Sequence, residues 1–329
     1  MSELKLIARA EAWDLKAPVR IARQTYYAME VIVAELSDQN GVTGRGEAAG
    51  LPYEGETIEG MLQQLREMTP LLGQTIKPAD LLRLMPRGGA RNALDCALWD
   101  LRCKQAGRRI WALFGEDDMQ PRQTALTFGI MESDAIYNAV DAVRHMPIIK
   151  LKVDREHHLA NVEAAREAHP AARILIDANG SWDRDLLDAL AGPLHKLGVE
   201  LIEQPVPVGE DGTLEGYAGP VRLAADESCT DSSSLTGLRG LYDFVNIKLD
   251  KTGGLTEALS LAGLARQAGF GLMAGNMGGT SLAMAPHFVI GQKCTYVDLD
   301  APLLCQQDRE HALIYEGPMV QPPSRQLWG

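Results

Sequence analysis

Between residues 124 and 298 a short β-rich run ends about every 22–26 residues, with helical segments between the runs. That interval is the length of one strand–helix unit. Strands are expected at Thr124–Phe128, Ile148–Lys152, Arg173–Asp177, Glu200–Glu203, Arg222–Asp226, Phe244–Lys248, Gly271–Ala274 and Thr295–Asp298. The helical segments include Leu159–Ala168, Leu186–Leu190 and Thr256–Ala268. Eight such strands in series are the signature of a parallel barrel. The 329 residues accommodate a barrel of roughly 200–250 residues and a smaller partner domain.

The first third reads differently. Leu4–Ile7, Val31–Leu36 and Gly41–Gly46 are β-rich, and the glycines of the last suggest a turn and short strand, so a three-stranded antiparallel meander is expected. From Thr57 the pattern turns helical, and Leu94, Ala97, Leu98 and Leu101 lie on one helix face. From about Ala301 the chain is Pro-rich, carries no further strand–helix unit and is expected to return to the N-terminal domain. The expected division is residues 1–120, an α+β domain; 121–300, the barrel; and 301–329, the returning segment.

The net charge of −12 disfavours a nucleic-acid binder, which would carry a basic face. No apolar run approaches the roughly 20 residues that span a bilayer. Residues 1–13 alternate and carry charge, unlike a signal peptide. Cys96, Cys103, Cys229, Cys294 and Cys305 are scattered without a CxxC pair, as free thiols in a reducing compartment would be, so the cytoplasm is the expected location. A homo-oligomer is compatible with all of this.

The ionisable residues fall where barrel active sites lie, at the C-terminal ends of strands. Strands two to six end in Lys150-Leu151-Lys152, Asp177, Glu203, Asp226 and Lys248. Side chains alternate along a strand, so Lys150 and Lys152 point the same way. A single acid at a strand end is more often a helix cap or turn residue, and a single lysine a solvated surface group. Three acids on consecutive strands, roughly 5 Å apart laterally and flanked by lysines, are not explained that way. Such hard oxygen ligands suit Mg²⁺, and the absence of Cys or His at these ends argues against zinc. The chemistry this inventory fits is removal of a proton next to a carboxylate. A divalent cation stabilises the enediolate, and a lysine acts as base if neighbouring cations and exclusion of water lower its pKa. Lys152 and Lys248 lie on opposite sides of the barrel mouth, the arrangement of a two-base racemase or epimerase.

At these residues the chain resembles the enolase superfamily, in its muconate-lactonising-enzyme subgroup. The resemblance rests on Gly44–Glu47, Ala93–Leu101, the KxK of Lys150–Lys152, Ile176–Gly180, Ile202–Pro205 and Ala225–Ser228, in that order. It implies an α+β capping domain over a modified (β/α)₇β barrel. It also implies Asp177, Glu203 and Asp226 as Mg²⁺ ligands, Lys152 and Lys248 as the acid/base pair, and Lys150 on the substrate carboxylate. Asn179, Glu227 and Asp250 are implied as outer partners.

Two further segments resemble dipeptide epimerases of this family: Asn246–Gly254 and the DxD of Asp298-Leu299-Asp300. The resemblance implies that Asp298 and Asp300 bind a dipeptide's ammonium; the other reading is a turn or capping pair. Arg23 resembles the arginine that pairs with the substrate glutamate in L-Ala-D/L-Glu epimerases; the other reading is a surface arginine. Met277–Thr280 lacks the acidic residue common in relatives. The expected substrate is thus a small-molecule dipeptide. The alternatives are a cycloisomerase or o-succinylbenzoate synthase-like lyase, an N-acylamino acid racemase, and a non-catalytic protein on a decayed barrel. A mandelate-racemase-like enzyme would want a His–Asp pair near strands six and seven, and His287 lies well beyond them. His157-His158 reads as a loop or helix start. Gly275–Ser281 reads as a close-approach loop beside substrate.

Overall fold

The computed structural model describes residues 4–72, 76–115 and 118–329. Met1–Glu3 of the N-terminal stretch lie outside them. Strands β1 (Lys5–Arg20), β2 (Thr25–Ser37) and β3 (Thr43–Ala48) form the antiparallel meander in chain order. β1 runs well beyond Leu4–Ile7, and its hairpin with β2 turns at 21–24, where the Ile21 N–H donates to Gln24 O at 2.9 Å. The helix Gly89–Ala106 lies directly on β3. This explains two of the GVTGRG glycines better than a turn does. A Cβ on Gly44 would stand 2.3 Å from Ala97 O, and one on Gly46 2.1 Å from Ala93 O.

A short β4 (Arg122–Gln123) precedes the barrel strands β5 (Leu126–Phe128), β6 (Ile148–Lys152), β7 (Arg173–Asp177), β8 (Val199–Glu203), β9 (Arg222–Ala225), β10 (Phe244–Ile247), β11 (Gly271–Ala274) and β12 (Tyr296–Val297). These eight are parallel and neighbour one another in sequence order, and the Ala125 N–H donates to Val297 O at 2.8 Å to close the ring. The fold is a mixed α/β barrel with an antiparallel N-terminal cap. Its first and last strands are shorter than their apolar runs because Thr124 and Thr295 pair through isolated bonds outside the ladders. The expected helices occupy Leu159–Ala168, Arg184–Lys196 and Leu255–Gln267. The crossover between β8 and β9 carries only a 3₁₀ turn, Asp211–Leu214.

One buried residue from each strand fills the barrel's lower interior: Ala125, Ile148, Leu175, Leu201, Ala224, Phe244, Met273 and Tyr296. Strand periodicity then dictates what lies two residues further on, facing the same interior. The next ring is Thr127, Lys150, Asp177, Glu203, Asp226, Asn246, Gly275 and Asp298. The intervening residues, such as Leu151, Ile176, Ile202 and Val245, pack outward against the helices in the main core.

β13 (Tyr315–Glu316) and β14 (Met319–Val320) form a small sheet with β4. Beyond them Arg45 Nη2 donates to Gln326 O and Leu327 O at 3.0 Å each, and Trp328 Nε1 to Cys96 O at 3.0 Å. Among the described residues no helix is long and apolar enough to cross a membrane.

Candidate active site

The ring above the apolar layer carries the charge. Asp177, Glu203 and Asp226 are fully buried, and one carboxylate oxygen from each lies within 4.8 Å of the others. Three buried carboxylates packed so closely repel one another and need cations. Lys150 Nζ lies 2.7 Å from Glu203 Oε2, 3.2 Å from Asp177 Oδ2 and 3.1 Å from Asp298 Oδ2. Lys152 Nζ is 2.6 Å from Asp177 Oδ2, and Lys248 Nζ is 2.5 Å from Asp226 Oδ2. Lys251, which the sequence reading did not single out, lies 2.6 Å from Asp226 Oδ1 and is buried. It follows the strand end in a short helical turn, Leu249–Thr252, so the alternation that located the ring does not reach it. Asn246 Nδ2, also missed, donates to Glu203 Oε1 at 2.7 Å.

Protonation follows from this crowding. Burial, then the Asp177 charge, pushes Glu203 up to about 8. Burial would raise Asp226 too, but Lys248 and Lys251 outweigh it and hold that carboxyl well below the usual range. Burial would lower the Lys248 ammonium, but the Asp226 charge dominates and raises it. This opposes the expected lowering, because the acids around Lys248 outweigh the nearby cations. The donor set nevertheless fits a hard divalent cation, since all three donors are carboxylates. A cation engaging these oxygens would take up the charge that now raises Lys150 and Lys248.

A cavity of about 310 Å³ opens above the ring between barrel and cap. Lys150, Lys152, Lys248, Asp298, Asp300 and Arg23 all reach it. Thr127 N–H donates to Asp300 Oδ2 at 2.5 Å, and Thr127 Oγ1 to Asp298 Oδ1 at 3.2 Å. Burial and the Asp298 charge push Asp300 well above the usual carboxylate range. Arg23 Nη2, on the β1–β2 hairpin, donates to Glu227 Oε1 at 2.7 Å and Asn179 O at 2.9 Å. Asn179 and Glu227 therefore border the cavity beside Arg23.

Asp250 is not brought to the carboxylate cluster. Its Oδ1 accepts from the Gly50 N–H of the cap at 2.7 Å, and burial pushes its carboxyl up to about 7. It ties the segment after Lys248 to the cap loop.

His287 is buried on the helix Ser281–Gly291. Its Nε2 accepts from the Leu249 N–H at 3.1 Å, and its Nδ1 lies 2.8 Å from Ala283 O. The imidazole is thus neutral, with the proton on Nδ1, and braces the residue after Lys248. Burial, reinforced by the Lys248 charge, lowers its pKa to about 4. A depressed folded-state value means that the unfolded chain binds the proton first. Stability from this group is full above about pH 6.5 and is lost as pH falls towards 4, by about 3 kcal/mol. Urea unfolding of wild type and His287→Gln from pH 7.5 to 4.5 should show a shallower acid loss in the variant. Parallel profiles would show that His287 does not carry it.

The parallel barrel, its cap and the carboxylate ring between flanking lysines define the class: a capped-barrel enzyme acting on carboxylate substrates. Residues 3–115 match the mandelate racemase/muconate lactonizing enzyme N-terminal domain, and residues 135–326 the enolase C-terminal domain-like family. The chain belongs to this mandelate racemase/muconate lactonizing enzyme family of the enolase superfamily. It is 39% identical over 305 residues to the L-Ala-D/L-Glu epimerase of Escherichia coli K12, covering 92% of this chain and 95% of that one. It is also 39% identical over 288 residues to an N-acetyl-D-glutamate racemase of a Pseudoalteromonas species, covering 86% and 91%. Among solved structures, an enolase family member of Agrobacterium tumefaciens with homology to dipeptide epimerases, bound to sodium and L-Ala-L-Glu, matches at TM-score 0.96 and 39% identity. The match covers 99% of this chain and 100% of that one. The dipeptide epimerase of Methylococcus capsulatus complexed with Mg and L-Arg-D-Lys matches at TM-score 0.91 and 28% identity, covering 99% and 98%.

Proposed function

We propose that this chain is a Mg²⁺-dependent dipeptide epimerase that inverts the α-carbon of the C-terminal residue, with L-Ala-D/L-Glu as its substrate type. The observation that carries this reading is the placement of Lys152 and Lys248. Lys152 ends β6 and Lys248 directly follows β10, with three strands between, and each is paired to a different acid of the cluster between them.

In this reading Asp177, Glu203 and Asp226 hold Mg²⁺. Bound there, Mg²⁺ supplies positive charge beside the substrate carboxylate, which makes the adjacent C–H more acidic. Lys150 adds its own charge to the same carboxylate. Lys152 and Lys248 face opposite sides of the α-carbon, so one takes the proton and the other returns one to the opposite face. Asp298 and Asp300 receive the dipeptide's ammonium, and Arg23 receives the glutamate side chain. Asn179 and Glu227 hold Arg23 in place. Residues 121–300 supply the chemistry, while 1–120 and 301–329 cover it. The five buried free thiols support a cytoplasmic location.

The similarity to an N-acetyl-D-glutamate racemase favours one second reading. That reaction would use the same lysines and acids, and Arg23 could serve its glutamate too. The buried DxD pair favours the dipeptide, because an N-acyl group offers no cation to it. A cycloisomerase or o-succinylbenzoate synthase-like lyase meets the same objection.

Metal removal tests the reading. Treatment with EDTA should abolish epimerisation of L-Ala-L-Glu, followed by polarimetry, and Mg²⁺ should restore it. Asp226→Asn should weaken Mg²⁺ binding in calorimetry while the circular dichroism spectrum is kept. Undiminished activity in metal-free enzyme would overturn the assignment.

A further inference from the structure

Three buried polar atoms around Arg23 have no hydrogen-bond partner: Tyr53 Oη, Glu227 Oε2 and Asn179 Oδ1. Unpaired buried polar atoms are costly, and each calls for a partner that completes it. Of these three, only Tyr53 Oη carries a proton to donate. Tyr53 comes from the cap, in the short turn Pro52–Glu54, and lines the same cavity as the three lysines. Burial, followed by the Asp226 and Glu227 charges, raises its phenol, so the hydroxyl remains a donor.

The Arg23 guanidinium lies over the Tyr53 ring, 5.1 Å from its centroid. Both Arg23 hydrogen bonds leave from Nη2, towards Glu227 and Asn179. Nη1 and Nε therefore remain to donate without breaking either bond. Asp250 holds Gly50, three residues before Tyr53, through its backbone N–H, which fixes the turn against the barrel.

We infer that Tyr53 Oη and the Arg23 guanidinium form a two-part clamp for the substrate's second carboxylate, so that Tyr53 is a specificity-determining residue. The lysines serve the reacting carboxylate from the barrel, and this clamp serves the side-chain carboxylate from the cap. An anion here would accept one bond from the phenol and one or two from the guanidinium, with Glu227 keeping Arg23 oriented. A neutral amide of the same shape presents an NH₂ where an oxygen is needed, and would leave a donor facing a donor.

The inference rests on the dipeptide reading, and the test separates the two. Binding of L-Ala-L-Glu and of the isosteric L-Ala-L-Gln is measured by titration calorimetry with Mg²⁺-loaded wild type and Tyr53→Phe. Wild type should prefer the glutamyl peptide, and Tyr53→Phe should cut that preference about tenfold. Arg23→Lys, which keeps the charge but not the fork, should cut it also. An unchanged Glu/Gln ratio in Tyr53→Phe, or no preference in wild type, overturns the clamp. Failure of the dipeptide reading is read separately, as absence of α-deuterium uptake from either peptide in D₂O with wild type.

Discussion

Replacing Lys152 or Lys248 by alanine is expected to lower the rate of epimerisation by about 10³-fold or more, the range that general acid–base groups contribute. Inversion needs a proton acceptor on one face and a donor on the other, so loss of either stops it. The two variants should differ in what survives. Each should retain solvent exchange of the α-proton in only one epimer, the one whose hydrogen faces the remaining lysine. Polarimetry reads inversion, and proton NMR in D₂O reads exchange. Neither change strips an acid of its partner, because Asp177 keeps Lys150 at 3.2 Å and Asp226 keeps Lys251 at 2.6 Å. Folded variants are therefore expected. Interconversion at wild-type rates in both single variants would rule out the two-base mechanism.

The DxD pair decides between a dipeptide and an N-acyl substrate. Asp298→Asn is expected to lower kcat/KM for L-Ala-L-Glu by roughly 10²–10³-fold, or about 3–4 kcal/mol for stranding a buried ammonium. Asp300→Asn should cost less. Asp300 is the member of the pair whose carboxyl burial and its neighbour push up, so an amide there removes less negative charge than at Asp298. N-acetyl-L-Ala-L-Glu should be a poor wild-type substrate and should lose much less on mutation. Equal turnover of the acetylated and free peptides by wild type would remove the ammonium socket and favour the racemase.

Much of the site was legible because strand alternation is a strong constraint. Once Leu175 is placed inward, Asp177 must be inward too, and the same holds for Leu201 with Glu203. The residues that escaped are those that alternation does not govern. Lys251 reaches Asp226 from a helical turn beyond the strand. Tyr53 comes from the other domain, some 170 residues earlier in the chain than Asp226, and no local pattern records which cap residue meets the barrel. Asp250 shows the opposite difficulty. The resemblance implied it as an outer partner of the cluster, but the chain turns helical after Lys248 and directs its carboxylate to Gly50. The fold's helices were read from their apolar faces, yet the β8–β9 crossover dispenses with one, since the segment from Val206 is short and Pro-interrupted.

The stacking of one apolar ring beneath one polar ring separates folding from chemistry within each strand. A mutation that exchanges a single upper-ring residue leaves the plug of Ile148, Leu175, Leu201 and Phe244 below it untouched. The mouth is thus free to drift in sequence, one strand at a time, towards other substrates while the scaffold stays folded. Insertion of one residue inside a strand has no such freedom, since it would turn acids into the helical layer and leucines into the cavity. Descendants of this barrel should therefore diversify by substitution at the ring positions other than the three acids and Lys150, and by length changes in the loops beyond them, with strand lengths held constant.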